Sequence, residues 1–106
     1  MKDLNTVLTE VAVNGIVKFP FPEKSLNDTD ISRLSLDTRS FNGLMRNKIQ
    51  TVGQIINAIP SLDKIKGLGE KSRNRIMYEI CAFYYASLKE NEKKRYLERI
   101  VKLNMQ

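Results

Sequence analysis

The stretch that most restricts how this chain can fold is Gly67-Leu68-Gly69, set between Ile65 and Glu70-Lys71-Ser72. Two of only five glycines flank a single apolar residue. Glycine permits backbone angles closed to other residues and lets the main chain approach a neighbour closely. Leu68 can turn inward as a plug, and apolar residues at Ile65, Ile76 and Ile80 have the spacing of two helices joined by a tight hairpin. The second helix is expected to begin near Glu70, with its free amide groups and the positive end of its dipole facing outward. That end is an anion site, where Lys71 and Ser72 add a charge and a hydroxyl while Lys64 and Lys66 approach from the preceding turn. A glycine pair alone is no more than a tight connection; the surrounding arrangement is what predicts a helix–hairpin–helix element.

The rest of the sequence reads as helices with identifiable ends. Leu4, Val7, Leu8 and Val11 follow helical spacing behind a possible Asp3 cap, and Asn14-Gly15 is a stop signal. The prolines of residues 16–30 predict an extended connector that docks Ile16, Val17, Phe19 and Phe21 on the core; a short strand over residues 11–19 is the alternative. Ser35 is a candidate cap for a helix over Leu36 to Asn47, with Asp37 in its first turn. Thr51 caps a short helix through Asn57, which Pro60-Ser61 ends, and Ser61 caps a single turn holding Leu62 and Ile65. The helix from Glu70 buries Ile76, Ile80, Phe83 and Tyr84 or Leu88. Lys89 to Tyr96 is a polar interval, and Leu97, Ile100, Val101 and Tyr96 supply the face of a last helix ending near Leu103; one long helix or two over residues 70–103 both fit. The fold class is all-α, a compact bundle of four to six short helices. An N-terminal segment (1–29) and an added C-terminal helix (89–106) flank a central domain (30–88).

Composition narrows the chemistry. With 106 residues the protein forms one domain with one core. The absence of histidine excludes Ser–His–Asp and Cys–His catalysis, and no cluster of acids suggests a metal or a raised carboxylate, so neither an enzyme nor a cofactor is expected. Cys81, the only cysteine, reads as a small core residue; with no apolar leader and no long apolar run, a cytoplasmic location without membrane contact is expected. Net charge is +6, and residues 39–75 alone carry eight basic against two acidic side chains, which is the whole excess. A polyanion is the natural partner for such a segment.

Upstream of the hairpin stand Leu34-Ser35-Leu36, then Thr38-Arg39-Ser40 with Asn42 and Leu44, then Ile49 and Thr51-Val52-Gly53. Together with Leu68-Gly69 and Lys71-Ser72, these residues resemble the C-terminal domain of the bacterial RNA polymerase α subunit, over roughly residues 30 to 85. The resemblance implies a DNA-binding domain that acts in transcription or its regulation, contacting the minor groove and backbone of A/T-rich double-stranded DNA. Arg39 would enter the groove, where a narrow A/T tract concentrates negative potential. Asn42 would contact DNA from the same helix, and Gly69, Lys71 and Ser72 would hold backbone and sugar. Gly43, Arg46, Lys66, Gly67 and Arg75 complete the candidate DNA-binding set.

The sequence departs from the family pattern at Met45, where a basic residue is common, and at Glu70, which replaces a lysine or arginine. Gly67 replaces an asparagine, and Arg75 replaces a glutamate used in protein contacts. A carboxylate near phosphate weakens binding, so the alternative is a protein-interaction module that docks on RNA polymerase or a transcription regulator without DNA. A third reading, an accessory domain of a repair enzyme, fits the hairpin but not the Arg-Ser-x-Asn element. The short protein is expected to be a free-standing relative of the polymerase subunit. Its C-terminal helix either covers the domain's own core against Leu4, Val7 and Leu8 or forms a homodimer face.

Overall fold

The computed structural model describes residues 3–12, 17–20, 26–65 and 68–105. It consists of α1 (Leu4–Val11), α2 (Thr38–Arg46), α3 (Val52–Ala58), α4 (Glu70–Ala86) and α5 (Glu90–Asn104), with 3₁₀ turns at Ile31–Arg33 and Ile59–Lys64. Among the described residues there is no strand, only an isolated bridge between Asp30 and Thr51, so the class is all-α as anticipated. The strand alternative is not met at the described residues between 11 and 20.

Helix ends follow local capping chemistry. Asp3 caps α1 by accepting from the Thr6 amide at 2.8 Å. The helix stops at Val11 with Ala12 as its C-cap, and the anticipated Asn14-Gly15 stop lies outside the described residues. Helix α2 begins later than expected, because Asp37 and not Ser35 is the cap: its carboxylate accepts from the Ser40 amide at 2.8 Å while Ser35 and Leu36 remain outside the helix. The capping contact lowers the pKa of Asp37, with the Arg75 and Arg39 charges as smaller causes. At the other end of α2, the Lys48 amide donates to the Met45 carbonyl and the Ile49 amide to the Leu44 carbonyl, both at 3.0 Å. This is a Schellman closure with Lys48 in the left-handed region at φ 61°, a place that favours glycine. Thr51 caps α3 in a complete capping box with Gln54.

One further cap is corrected, and the course of residues 70–103 is decided. Ser61 caps nothing; its hydroxyl donates back to the Ala58 carbonyl at 3.1 Å, and Pro60 sits in the first turn of the 3₁₀ segment, where a missing amide costs little. The polar interval after Lys89 is the first half of α5, because the Lys89 amide donates to the Glu92 carboxylate at 3.1 Å and Glu90 pairs with Lys93 at 3.6 Å, so local polar contacts carry a turn that buries little. Residues 70–103 are two helices broken at Ser87–Lys89. In the last helix Tyr96, Leu97 and Ile100 are buried, whereas Val101 is 37% exposed.

Two apolar clusters share α4. The larger gathers Ile31, Leu34, Leu44, Ile49, Val52, Ile55, Leu62, Leu68, Ile76 and Ile80. The second lies on the other side of α4 and gathers Leu4, Val7, Cys81, Tyr96, Leu97 and Ile100, with Leu8, Phe19 and Tyr84 packed against it. Tyr96, Leu97 and Ile100 of α5 thus pack on the protein's own α1 and α4, while Val101 and Met105 stay exposed. Cys81 is a core residue whose thiol lies 3.1 Å from the Tyr96 hydroxyl; burial pushes its pKa from 9.0 up to about 11. Val17 is half-buried and Phe19 docks on the second cluster, while Ile16 and Phe21 lie outside the described residues.

Candidate nucleic-acid interface

Leu68 of the hairpin packs against Gly43 of α2, and the charge of Arg75 on α4 is felt at Asp37, the cap of α2; two glycines divide the work. Gly43 on α2 is buried; a Cβ there would lie 3.2 Å from Leu68 Cγ and 3.3 Å from its Cδ2. Leu68 is only 3% exposed, so it is the inward plug anticipated, and Gly43 is the gap that admits it. The place of Gly43 in the site is therefore to lock the two helices, from inside.

Gly69 is different. It is the N-cap of α4, exposed, with φ −105° and ψ −168°, an extended conformation open to any residue, and a Cβ there would meet nothing within 4 Å. Neither strain nor internal packing requires glycine at this position. What a bare backbone does offer is close approach from outside. No side chain caps α4, so none takes up the amides of its first turn, Glu70, Lys71 and Ser72. Lys71 is exposed and Ser72 half-buried, and Glu70 is exposed in the same turn.

On α2, Arg39, Asn42 and Arg46 are all exposed and follow the i, i+3, i+7 spacing of one helix face, with Arg39 in the first turn. Ser40 and Leu44, on the opposite side, are fully buried. Arg75, one turn beyond Lys71 on α4, forms an ion pair with Glu79 at 3.2 Å and lies 5.7 Å over the Tyr78 ring. Its charge is thereby partly committed within α4, although its side chain remains 62% exposed. The i, i+4 spacing of Arg75 and Glu79 is the readable signal for that pair, and the charges of Arg75 and Arg39 also act on Asp37 at the cap of α2. Lys66 and Gly67 lie outside the described residues. Met45 is 40% exposed next to Arg46. Among the described residues no group of three potential metal ligands converges, and no helix is long and apolar enough to cross a membrane.

Residues 20–80 match the family of the C-terminal domain of the bacterial RNA polymerase alpha subunit. The DNA-directed RNA polymerase subunit alpha of Mycoplasmoides gallisepticum is 32% identical over 90 residues, covering 84% of this sequence and 27% of that protein. The subunit of the same name from Mycoplasmopsis synoviae is 39% identical over 59 residues, covering 55% of this sequence and 18% of that one. The protein thus spans about a quarter or less of the length of these relatives. No solved structure matches it. More than half of its residues lie inside the match, and an all-helical fold is built round the hairpin; the protein belongs to the family of bacterial RNA polymerase alpha C-terminal domains.

Proposed function

We propose that this protein is a DNA-binding domain of transcription, holding the minor groove and phosphate backbone of A/T-rich duplex DNA between the first turns of α2 and α4. The observation that carries the reading is Gly69: a glycine required by neither backbone angle nor packing, at the uncapped start of a 17-residue helix. Close approach of a phosphate or sugar to its backbone gives it a purpose. Lys71 and Ser72 supply a charge and a hydroxyl beside that phosphate, and Arg39 reaches from the first turn of α2 into the groove, followed by Asn42 and Arg46 along the same face. Readout in the minor groove separates A/T from G/C and little more, so selectivity is modest and affinity falls steeply with salt. Glu70 subtracts from the local positive potential. RNA polymerase is the partner assembly that family membership and the names of the relatives favour, and the cytoplasm is the matching location.

A second reading is a module that docks on polymerase or a regulator without DNA; the exposed Met45 thioether beside Arg46 favours it, as an apolar contact flanked by charge. A homodimer through the C-terminal helix would use Val101 and Met105, which are exposed. A heteronuclear NMR titration with an A/T-rich and a G/C-rich duplex, at low and moderate salt, separates the readings. Shifts at Arg39, Asn42 and Gly69 to Ser72 that favour the A/T duplex are expected. Unmoved amides at low salt would leave the hairpin as a structural turn and sink the DNA reading.

A further inference from the structure

Helix α5 lies beyond the residues matched to the family, and it carries a cationic surface that the hairpin does not use. Where α5 meets the C-terminal end of α4, a cavity of about 220 Å³ is lined by Tyr84, Leu88, Glu92, Arg95, Tyr96 and Arg99. It stands roughly 20 Å along α4 from the helix's first turn, as the 1.5 Å rise from Glu70 to Tyr84 requires. Arg95 and Arg99 are exposed and one turn apart on α5, with Lys102 one turn further on. Among the described residues neither arginine has an ion-pair partner. The acid that shares the cavity, Glu92, accepts from the Lys89 amide at the start of the helix, and Glu90 is taken by Lys93.

We propose that this cavity and the Arg95–Arg99 ridge form a docking surface for an acidic protein segment, one that presents carboxylates about one helical turn apart around an apolar side chain. The two residues at the cavity wall are arginines, whose planar guanidinium forks match carboxylates in paired hydrogen bonds. Leu88 and Tyr84 give the apolar contact between them, both half-buried. The aromatic rings here do not suit single-stranded nucleic acid. Tyr96 is 2% exposed and meets Tyr84 edge to face at 5.1 Å, while Lys93 lies 5.4 Å over Tyr85, so these rings are engaged within the fold and make no platform for bases. The surface is independent of the hairpin, which leaves both contacts open to simultaneous use.

The test is fluorescence anisotropy of a labelled helical peptide with glutamates four residues apart flanking leucine, titrated with the whole protein at moderate salt. The paired variant R95E/R99E should lose at least about tenfold in affinity, whereas K94E, on an exposed neighbouring position, and R39A should bind the peptide as the parent does. Circular dichroism of R95E/R99E should match the parent, since both side chains are exposed. Equal binding by R95E/R99E and the parent overturns the proposal. So does an NMR titration in which duplex DNA moves the amides of Arg95 to Arg99 as strongly as the peptide does, for the ridge is then part of a nucleic-acid surface. Loss of DNA binding by R39A with peptide binding intact separates the two surfaces; DNA binding lost by R95E/R99E as well counts against it.

Discussion

The two sides of α4 are built by opposite means. Its Ile76 and Ile80 side faces a cluster assembled from neighbours in sequence, α2, α3 and the 3₁₀ turns, each with a satisfied end: Asp37 on α2, the Schellman closure after it, the Thr51–Gln54 box on α3. Its Cys81 side faces α1 and α5, which come from opposite ends of the sequence. There the polar ties are long-range. Asn104 of α5 accepts from the Lys18 amide at 2.8 Å and donates to the Lys18 carbonyl at 2.9 Å, and the Tyr78 hydroxyl donates to Asn5 on α1. A locally capped core nucleates from short loops, whereas a core closed by the two termini must first bear the entropy of a long loop. The first side lies within the residues matched to the family, whereas α1 and α5 of the second lie outside that match.

Truncation of one residue on each side tests the comparison most severely. Leu44→Ala and Ile100→Ala both remove fully buried side chains and should each cost about 3 kcal/mol in urea unfolding. Because α4 is common to both clusters, each variant should still unfold in one transition; an early separate transition in Ile100→Ala alone would show that the second side melts independently. Next in size is Gly53→Ala. An added Cβ would lie 2.9 Å from the Asn27 carbonyl oxygen, backbone that also accepts the Gly53 amide, so a loss of about 2 kcal/mol is expected from the same measurement. Smaller changes follow at the ends of helices and at the clamp between the termini. Asn104→Ala should cost about 1 kcal/mol through its contacts with Lys18, and Lys48→Gly should add about 1 kcal/mol by relieving the left-handed backbone.

The effects of pH also divide between the two sides. Hydrogen bonds from the capped amides lower the carboxyl pKa values of Asp3, Asp30 and Asp37. Their contributions are fully present above the unfolded value of about 3.9 and are lost as pH falls through the lower folded values. Cys81 works at the other extreme. Its raised pKa means that the unfolded state gives up the thiol proton first, so stability falls as pH rises from 9.0 towards about 11. Burial likewise raises the pKa of its neighbour Tyr96, in the same direction. Thermal unfolding across pH, with Cys81→Ala as the comparison, should show the alkaline loss diminish in the variant.

The all-helical class, the hairpin with its inward leucine, the caps at Asp3 and Thr51, and the family are all legible along the sequence, because each is written in residues close to one another. Spacing and capping chemistry act over one or two turns, and those the sequence displays directly. It also placed Arg39, Asn42 and Arg46 on one helix and Gly69, Lys71 and Ser72 on another. Which of two nearby acceptors, Ser35 or Asp37, caps α2 is a local choice that spacing left open, whereas packing decided that Gly43 yields its side-chain space to Leu68 and that Gly69 meets nothing within the fold. Packing also set the apolar side of the C-terminal helix against α1, some ninety residues earlier. Those outcomes depend on which surfaces meet when distant segments pack, and van der Waals contact between remote residues leaves no periodic trace in the sequence of either.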